Sequence, residues 1–145
     1  MIERFERFSF NMFEISHCWH KLAAEEMEKH GLRGPHALYL LAIHRCPKGI
    51  TATELCEMCR RDKADVSRAL RLMEEKGFVT RQGSQYRALL FLTEEGTQAA
   101  ERVCRRAANV VEAAGMGFTQ EEREIFYKVL DTITGNLKQL TEDCS

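Results

Sequence analysis

The stretch from Thr51 to Thr93, TATELCEMCRRDKADVSRALRLMEEKGFVTRQGSQYRALLFLT, constrains the chain more than any other. Within it Val66, Ala69, Leu70 and Met73 recur at the i, i+3, i+4, i+7 spacing of one buried helical stripe. The opposite face carries Lys63, Ala64, Ser67, Arg68 and Arg71. Small and hydrogen-bonding residues among cations suit a helix that fits closely into a groove lined by phosphates and base edges. Asp62 is placed to cap this helix, Asp65 to face the positive end of its dipole, and Lys76-Gly77 to close it.

The flanks of that helix complete a unit. Thr51 with Glu54 forms a capping box opening a short helix, Ala52 to Met58, from which Leu55 and Cys59 face inward. Behind the basic helix, Phe78-Val79 and Leu89 to Leu92 read as two strands around a turn at Gly83-Ser84. Ile50 reads as a single strand residue pairing with that hairpin. Helix, turn, second helix and trailing hairpin make a winged helix-turn-helix, assigned to residues 34–93. An ordinary helical core with a solvated charged face is the plainer alternative. It leaves the caps, the glycine stop and the position of the hairpin unexplained.

Charge agrees with this only once it is divided. The chain of 145 residues carries a net charge of −1, unpromising for a nucleic-acid partner. Between Arg45 and Arg87, however, ten Lys and Arg stand against six Asp and Glu, a balance of +4 that leaves −5 for the remainder. A chain that is 44% hydrophobic and 30% charged can bury one core, and no apolar run reaches membrane-spanning length. The opening MIERFERFSF has acidic residues and no continuous apolar core, so it does not read as a signal peptide, and a cytoplasmic location is expected.

Outside the reading unit the pattern is helical. Phe5, Phe8, Met12, Ile15, Trp19 and Leu22 form a heptad seam within Ile2 to His30, more apolar surface than a small monomer needs. Gly31 is expected to end that helix and Pro35 to open the next, His36 to Cys46, with Leu38, Leu41, Ala42 and Ile43 turned to the core. Thr93-Glu94-Glu95-Gly96 starts a helix to about Ala114 with Ala99, Val103, Ala107, Val110 and Val111 on one face. Thr119 with Glu122 caps the last helix, whose stripe is Ile125, Phe126, Val129, Leu130, Ile133, Leu137 and Leu140. Residues 1–33 and 94–145 together read as a helical dimerisation region. The expected fold is therefore mainly α with a small β wing, a two-fold dimer setting two reading helices about one DNA turn apart.

With these elements in order the chain resembles the MarR family of transcriptional regulators along nearly its whole length. The residues that carry the resemblance are Gly31-Leu32 with Pro35, Ile50 to Leu55, Lys63 to Leu70, Met73 to Val79, Leu92 to Gly96 and Glu121-Glu122-Arg123. The resemblance implies a homodimer on double-stranded DNA, usually a repressor, released by an effector such as a phenolic anion, a peroxide acting on cysteine, or zinc. It also implies a wing arginine that enters the minor groove from an Asp-x-Arg element. Here the wing, Arg81 to Arg87, is shorter and lacks the aspartate, which leaves Arg81 and Arg87 as its cations.

Sensor and catalytic readings are weaker. The peroxide-sensing type of the family has its cysteine near the position of Ser9, and Cys18 lies nine residues later, where it is expected to pack within the helix. Cys56-x-x-Cys59 lacks a second pair at zinc-finger spacing, so the six cysteines read as reduced, mostly packing residues. His17 and His20 share a helix face, yet the bland reading, polar surface residues, is preferred, and no metal or cofactor is assigned. A small-molecule effector pocket is placed near Trp19, His36 and Tyr39. No nucleophile elbow, phosphate-binding glycine loop or HExxH helix occurs, so no enzyme is expected. The competing readings are a helical protein-interaction module that uses a winged fold without DNA, and a metal- or thiol-responsive regulator.

Overall fold

Caps and stops written into the sequence set the element boundaries in the computed structural model, which describes residues 1–84 and 86–142. In chain order the elements are α1 (Ile2–Glu28), α2 (His36–His44), α3 (Ala52–Cys59), α4 (Lys63–Glu75), β1 (Val79–Gln82), β2 (Leu89–Leu92), α5 (Glu94–Ala114) and α6 (Gln120–Glu142). The fold is a winged helix-turn-helix, mainly α with one two-stranded antiparallel sheet. By contacts the chain forms two compact units, one from Met1 to Arg106 and one from Ala107 onward. Among the described residues no helix is long and apolar enough to cross a membrane.

The first unit is built around Leu40, Ile43, Leu55, Val66, Leu70, Met73 and Leu90, all essentially inaccessible, with Met27 of α1 and Ala99 and Val103 of α5 joining them. Each fully buried Leu, Ile or Met of this kind contributes roughly 1.5–3 kcal/mol. The wing is tied to the same core. Ile50 and Leu90 exchange both backbone hydrogen bonds, at 3.3 and 2.8 Å, extending the sheet by the one residue expected. β1 is longer than its sequence suggests: only Val79 of its four residues is buried, so Thr80-Arg81-Gln82 carry no strand-like hydrophobic signal.

Three expectations for the helices fail in whole or in part. In α2 the buried residues are His36, Ala37, Tyr39, Leu40, Ala42 and Ile43, so Ala42 and Ile43 face the core as expected, while Leu38 is 44% exposed and Leu41 only partly buried. A run as uniformly apolar as HALYLLAIH has no periodicity from which a face can be chosen. α1 ends at Glu28 rather than at Gly31, although Gly31 does take a left-handed φ of +65° in the turn that follows. Cys18 does not pack within the helix: it is exposed, as is Cys104, whereas Cys59 is buried and Cys46 and Cys56 are half-buried. Cys144 lies outside the described residues.

In the second unit, Thr119 and Glu122 form the reciprocal capping box at 3.2 and 2.8 Å, and Arg123 reaches back to the Gly115 carbonyl and to Glu112. No residue of α6 is buried, and Ile125, Phe126, Val129, Leu137 and Leu140 stand exposed along it. The α1 seam is also open, with Phe5, Phe8, Met12, Ile15 and Trp19 exposed.

Where the wing passes into α5, Thr93 donates its N–H to the Phe78 carbonyl at 3.0 Å and its hydroxyl to the Gly77 carbonyl at 2.6 Å, and it caps α5 by accepting from Gly96 N–H. This draws Gly96 against Phe78 so closely that a Cβ there would lie 2.0 Å from the Phe78 carbonyl oxygen. Gly96→Ala must therefore push α5 away from the end of α4. We expect a loss of at least about 1–3 kcal/mol in urea denaturation.

The end of α1 meets α5 through charge. Glu26, almost fully buried, accepts from Lys29 at 2.8 Å and lies 3.7 Å from Arg106 and 3.8 Å from His30, and Arg106 also bonds Glu25 at 3.1 Å. The Lys29 hydrogen bond holds the Glu26 carboxyl below its ordinary 4.5, against the opposing effect of burial. A carboxylate depressed on folding stabilises the fold above its unfolded pKa, and that contribution fades as pH falls through the folded value. Stability should accordingly decline below about pH 4.5. Glu26→Gln should be less stable at pH 7 and show a shallower acid dependence in urea titrations.

Candidate nucleic-acid interface

α3 and α4 are joined by three residues whose conformations the sequence largely dictates. The α3 capping box is complete: Glu54 N–H donates to the Thr51 hydroxyl at 3.2 Å, and Thr51 N–H donates to the Glu54 carboxylate at 2.8 Å. At the far end Arg60 takes a left-handed conformation, φ 51° and ψ 47°, and Arg61 N–H returns to the Cys56 carbonyl at 3.1 Å. It is the one non-glycine residue with positive φ among those described, in a place where glycine is usual. Asp62 then accepts from Asp65 N–H at 2.8 Å and starts α4.

α4 ends as tightly as it begins. Phe78 N–H donates to the Met73 carbonyl at 2.9 Å and Gly77 N–H to the Glu74 carbonyl at 3.0 Å, with Gly77 at φ +78°. These are the two bonds of a Schellman stop. Between cap and stop, Val66, Ala69, Leu70 and Met73 are buried. Lys63, Ala64, Ser67, Arg68 and Arg71 are consequently brought together on one exposed face, with the Arg68 and Arg71 side chains 74% and 83% accessible. Arg60 and Arg61, exposed in the turn just ahead, add two cations that helix periodicity could not assign because they precede the helix.

Three of the arginines on this surface have a carboxylate near them. Arg68 lies 3.9 Å from Asp65, Arg71 bonds Glu75 at 3.1 Å, and Arg81 of β1 is paired with Glu74 of α4. The last pair ties the wing to α4. Arg87 is exposed at the other side of the wing tip, and Gln85 between them lies outside the described residues.

The residues read as an effector pocket have separate surroundings. Trp19 is exposed on α1, whereas His36 and Tyr39 are buried with ring centroids 6.4 Å apart. His36 Nδ1 accepts from Arg33 N–H at 2.9 Å, and burial, helped by the Arg33 charge, lowers its pKa. The Tyr39 hydroxyl donates to the Asp65 carboxylate, and burial together with that bond keeps the phenol protonated far above its ordinary range. His20 lies 3.4 Å from Ser16 and His17 stacks on Phe13, and among the described residues no group of three or more His, Cys, Asp or Glu is arranged to hold a metal.

Comparison with known proteins gives a consistent result. The model of the MarR family matches residues 30–85, from the end of α1 into the wing. The uncharacterized HTH-type transcriptional regulator YybA of Bacillus subtilis is 30% identical over 105 residues, covering 70% of this chain and 69% of that protein. Among solved structures, a MarR transcriptional regulator from Methanosarcina mazei Go1 superposes with a TM-score of 0.82 at 20% identity, over 93% of this chain and 92% of the other. A putative MarR family transcriptional regulator from Listeria monocytogenes, crystallised with a 26mer DNA, gives a TM-score of 0.76 at 23% identity, over 88% and 86% of the two chains.

The Asp62 cap can be tested without touching the exposed face. Asp62→Ala should cost about 0.5–2 kcal/mol of stability in urea denaturation. Asp62→Asn, which keeps an acceptor, should recover most of it.

Proposed function

The chain belongs to the MarR family of transcriptional regulators, and from that premise we propose that it is a sequence-specific DNA-binding repressor, acting in the cytoplasm as a homodimer on a palindromic operator. The observation that carries this reading is the outward face of α4. A capped helix fixed in the core by four apolar side chains presents Lys63, Ala64, Ser67, Arg68 and Arg71 together to solvent. That combination suits phosphate contact and base-edge reading in a major groove. The relative crystallised with a 26mer DNA supports the same reading by its fold. No enzymatic role is assigned.

In this reading residues 34–93 form the reader, and residues 1–33 with 94–145 form the dimerisation region. The open seams of α1 and α6 support it: Phe5, Phe8 and Met12 on the one helix, and Ile125, Val129, Leu137 and Leu140 on the other, each leave apolar area for water to cover. A partner copy would bury it and set two reading helices about one DNA turn apart. Ser67 and Arg68 read or abut bases, while Lys63 and Arg71 hold phosphates. Arg81 and Arg87 flank the wing and contact the backbone beside the groove. A small-molecule effector releases the dimer from its operator.

A duplex selected from a random library tests this directly by fluorescence anisotropy. Arg68→Ala should lose about 1–3 kcal/mol on the selected duplex and less on mismatched ones. Lys63→Ala should weaken all duplexes alike and reduce the slope of log affinity against log salt by about one. Sedimentation at micromolar concentration should give a dimer. A chain that selects no duplex at low salt, or that binds as a monomer, would overturn the reading.

A further inference from the structure

Tyr39 does something that its place in the core does not require. It belongs to α2, lies 26 residues before Asp65, is 1% exposed, and its hydroxyl donates to Asp65 Oδ2 at the first turn of α4. Asp65 Oδ1, the other oxygen of the same carboxylate, faces Arg68 Nη2 at 3.9 Å. The backbone of Asp65 is held separately, by its N–H to Asp62. The carboxylate is thus fixed by a rigid donor on one side and presents a charged acceptor to an exposed arginine on the other.

We propose that Tyr39 is a positioning residue for DNA recognition: it locks the Asp65 carboxylate so that Asp65 holds Arg68 in one orientation over the bases. The proposal rests on reading α4 as the DNA-contacting helix. A carboxylate on that surface repels phosphates, so its presence cannot serve raw affinity. Asp62 already caps the helix, so α4 does not need Asp65 to begin. Asp65 instead restrains a flexible side chain that is 74% accessible and would otherwise sample many rotamers. An arginine held before it meets DNA loses less freedom on binding, and it discriminates more sharply because it cannot swing to a phosphate when the base is wrong. A buried tyrosine is a suitable anchor, since its ring has few rotatable bonds and its hydroxyl needs a partner.

A merely structural role for Tyr39 and a positioning role differ in what they move. The full-length chain, with the variants Tyr39→Phe, Arg68→Ala and the double variant, is titrated against the selected duplex, its single-mismatch series and an unrelated duplex. Tyr39→Phe should lower affinity for the selected duplex on the order of tenfold, the equivalent of one hydrogen bond to a charged group. Binding to the unrelated duplex should stay within about twofold, since phosphate contacts are untouched. In the Arg68→Ala background the same change should add nothing. Equal losses on all duplexes, or a full additional loss on top of Arg68→Ala, would overturn the proposal. Asp65→Asn supplies a second route should Tyr39→Phe not fold: it keeps an acceptor for Tyr39 and removes the charge facing Arg68. It should also lower the ratio of selected to unrelated binding, and an unchanged ratio would overturn the proposal. Failure of the wild-type chain to select any duplex would instead overturn the DNA-binding reading itself.

Discussion

The burial of one side of α4 is the constraint on which the rest depends. Val66, Leu70 and Met73 are fully enclosed, and Ala69 is buried beside them. Three such side chains contribute several times what the exposed ion pairs of the opposite face can, since surface pairs of this kind are worth at most about 1 kcal/mol each. The orientation of the cationic face is therefore decided by the core and not by the cations. Because the Asp62 cap and the Gly77 stop fix where the helix starts and ends, its rotation and its register are both set before any ligand arrives.

Local chemistry was legible in the sequence wherever a side chain answers a backbone group a few residues away. Both reciprocal capping boxes, the Asp62 and Thr93 caps and the glycine stop of α4 follow from spacing alone. So does the α4 stripe, because polar and apolar residues alternate there at helical period. The face of α2 was not legible, because nearly all of its residues are apolar and the choice among them is made by what surrounds the helix. Arg60 in a left-handed turn was hidden by its type: nothing about an arginine announces positive φ.

The surroundings of the candidate site residues divide in the same way. The exposed face of α4 is a property of one helix and could be read from it. The bond from Tyr39 to Asp65 joins residues distant in sequence, and neither position carries a signal that it will meet the other. The sequence places Tyr39 with Trp19 and His36 near an effector pocket, and nothing in it points to Asp65. The Tyr39 hydroxyl meets the first turn of α4. His36, the second of those residues, is likewise engaged, by the backbone of Arg33.

The carboxylates beside Arg71 and Arg81 have a consequence for how such a surface would behave among many wrong partners. Glu75 and Glu74 act as counterions that the protein carries with it. A polyanion that approaches Arg71 or Arg81 must displace a tethered carboxylate before it gains the arginine, and a diffuse polyanion has little to offer in exchange. Only a partner whose acceptors match the geometry of the released guanidinium groups recovers what the exchange costs. At those two positions the surface is thereby muted toward a diffuse polyanion.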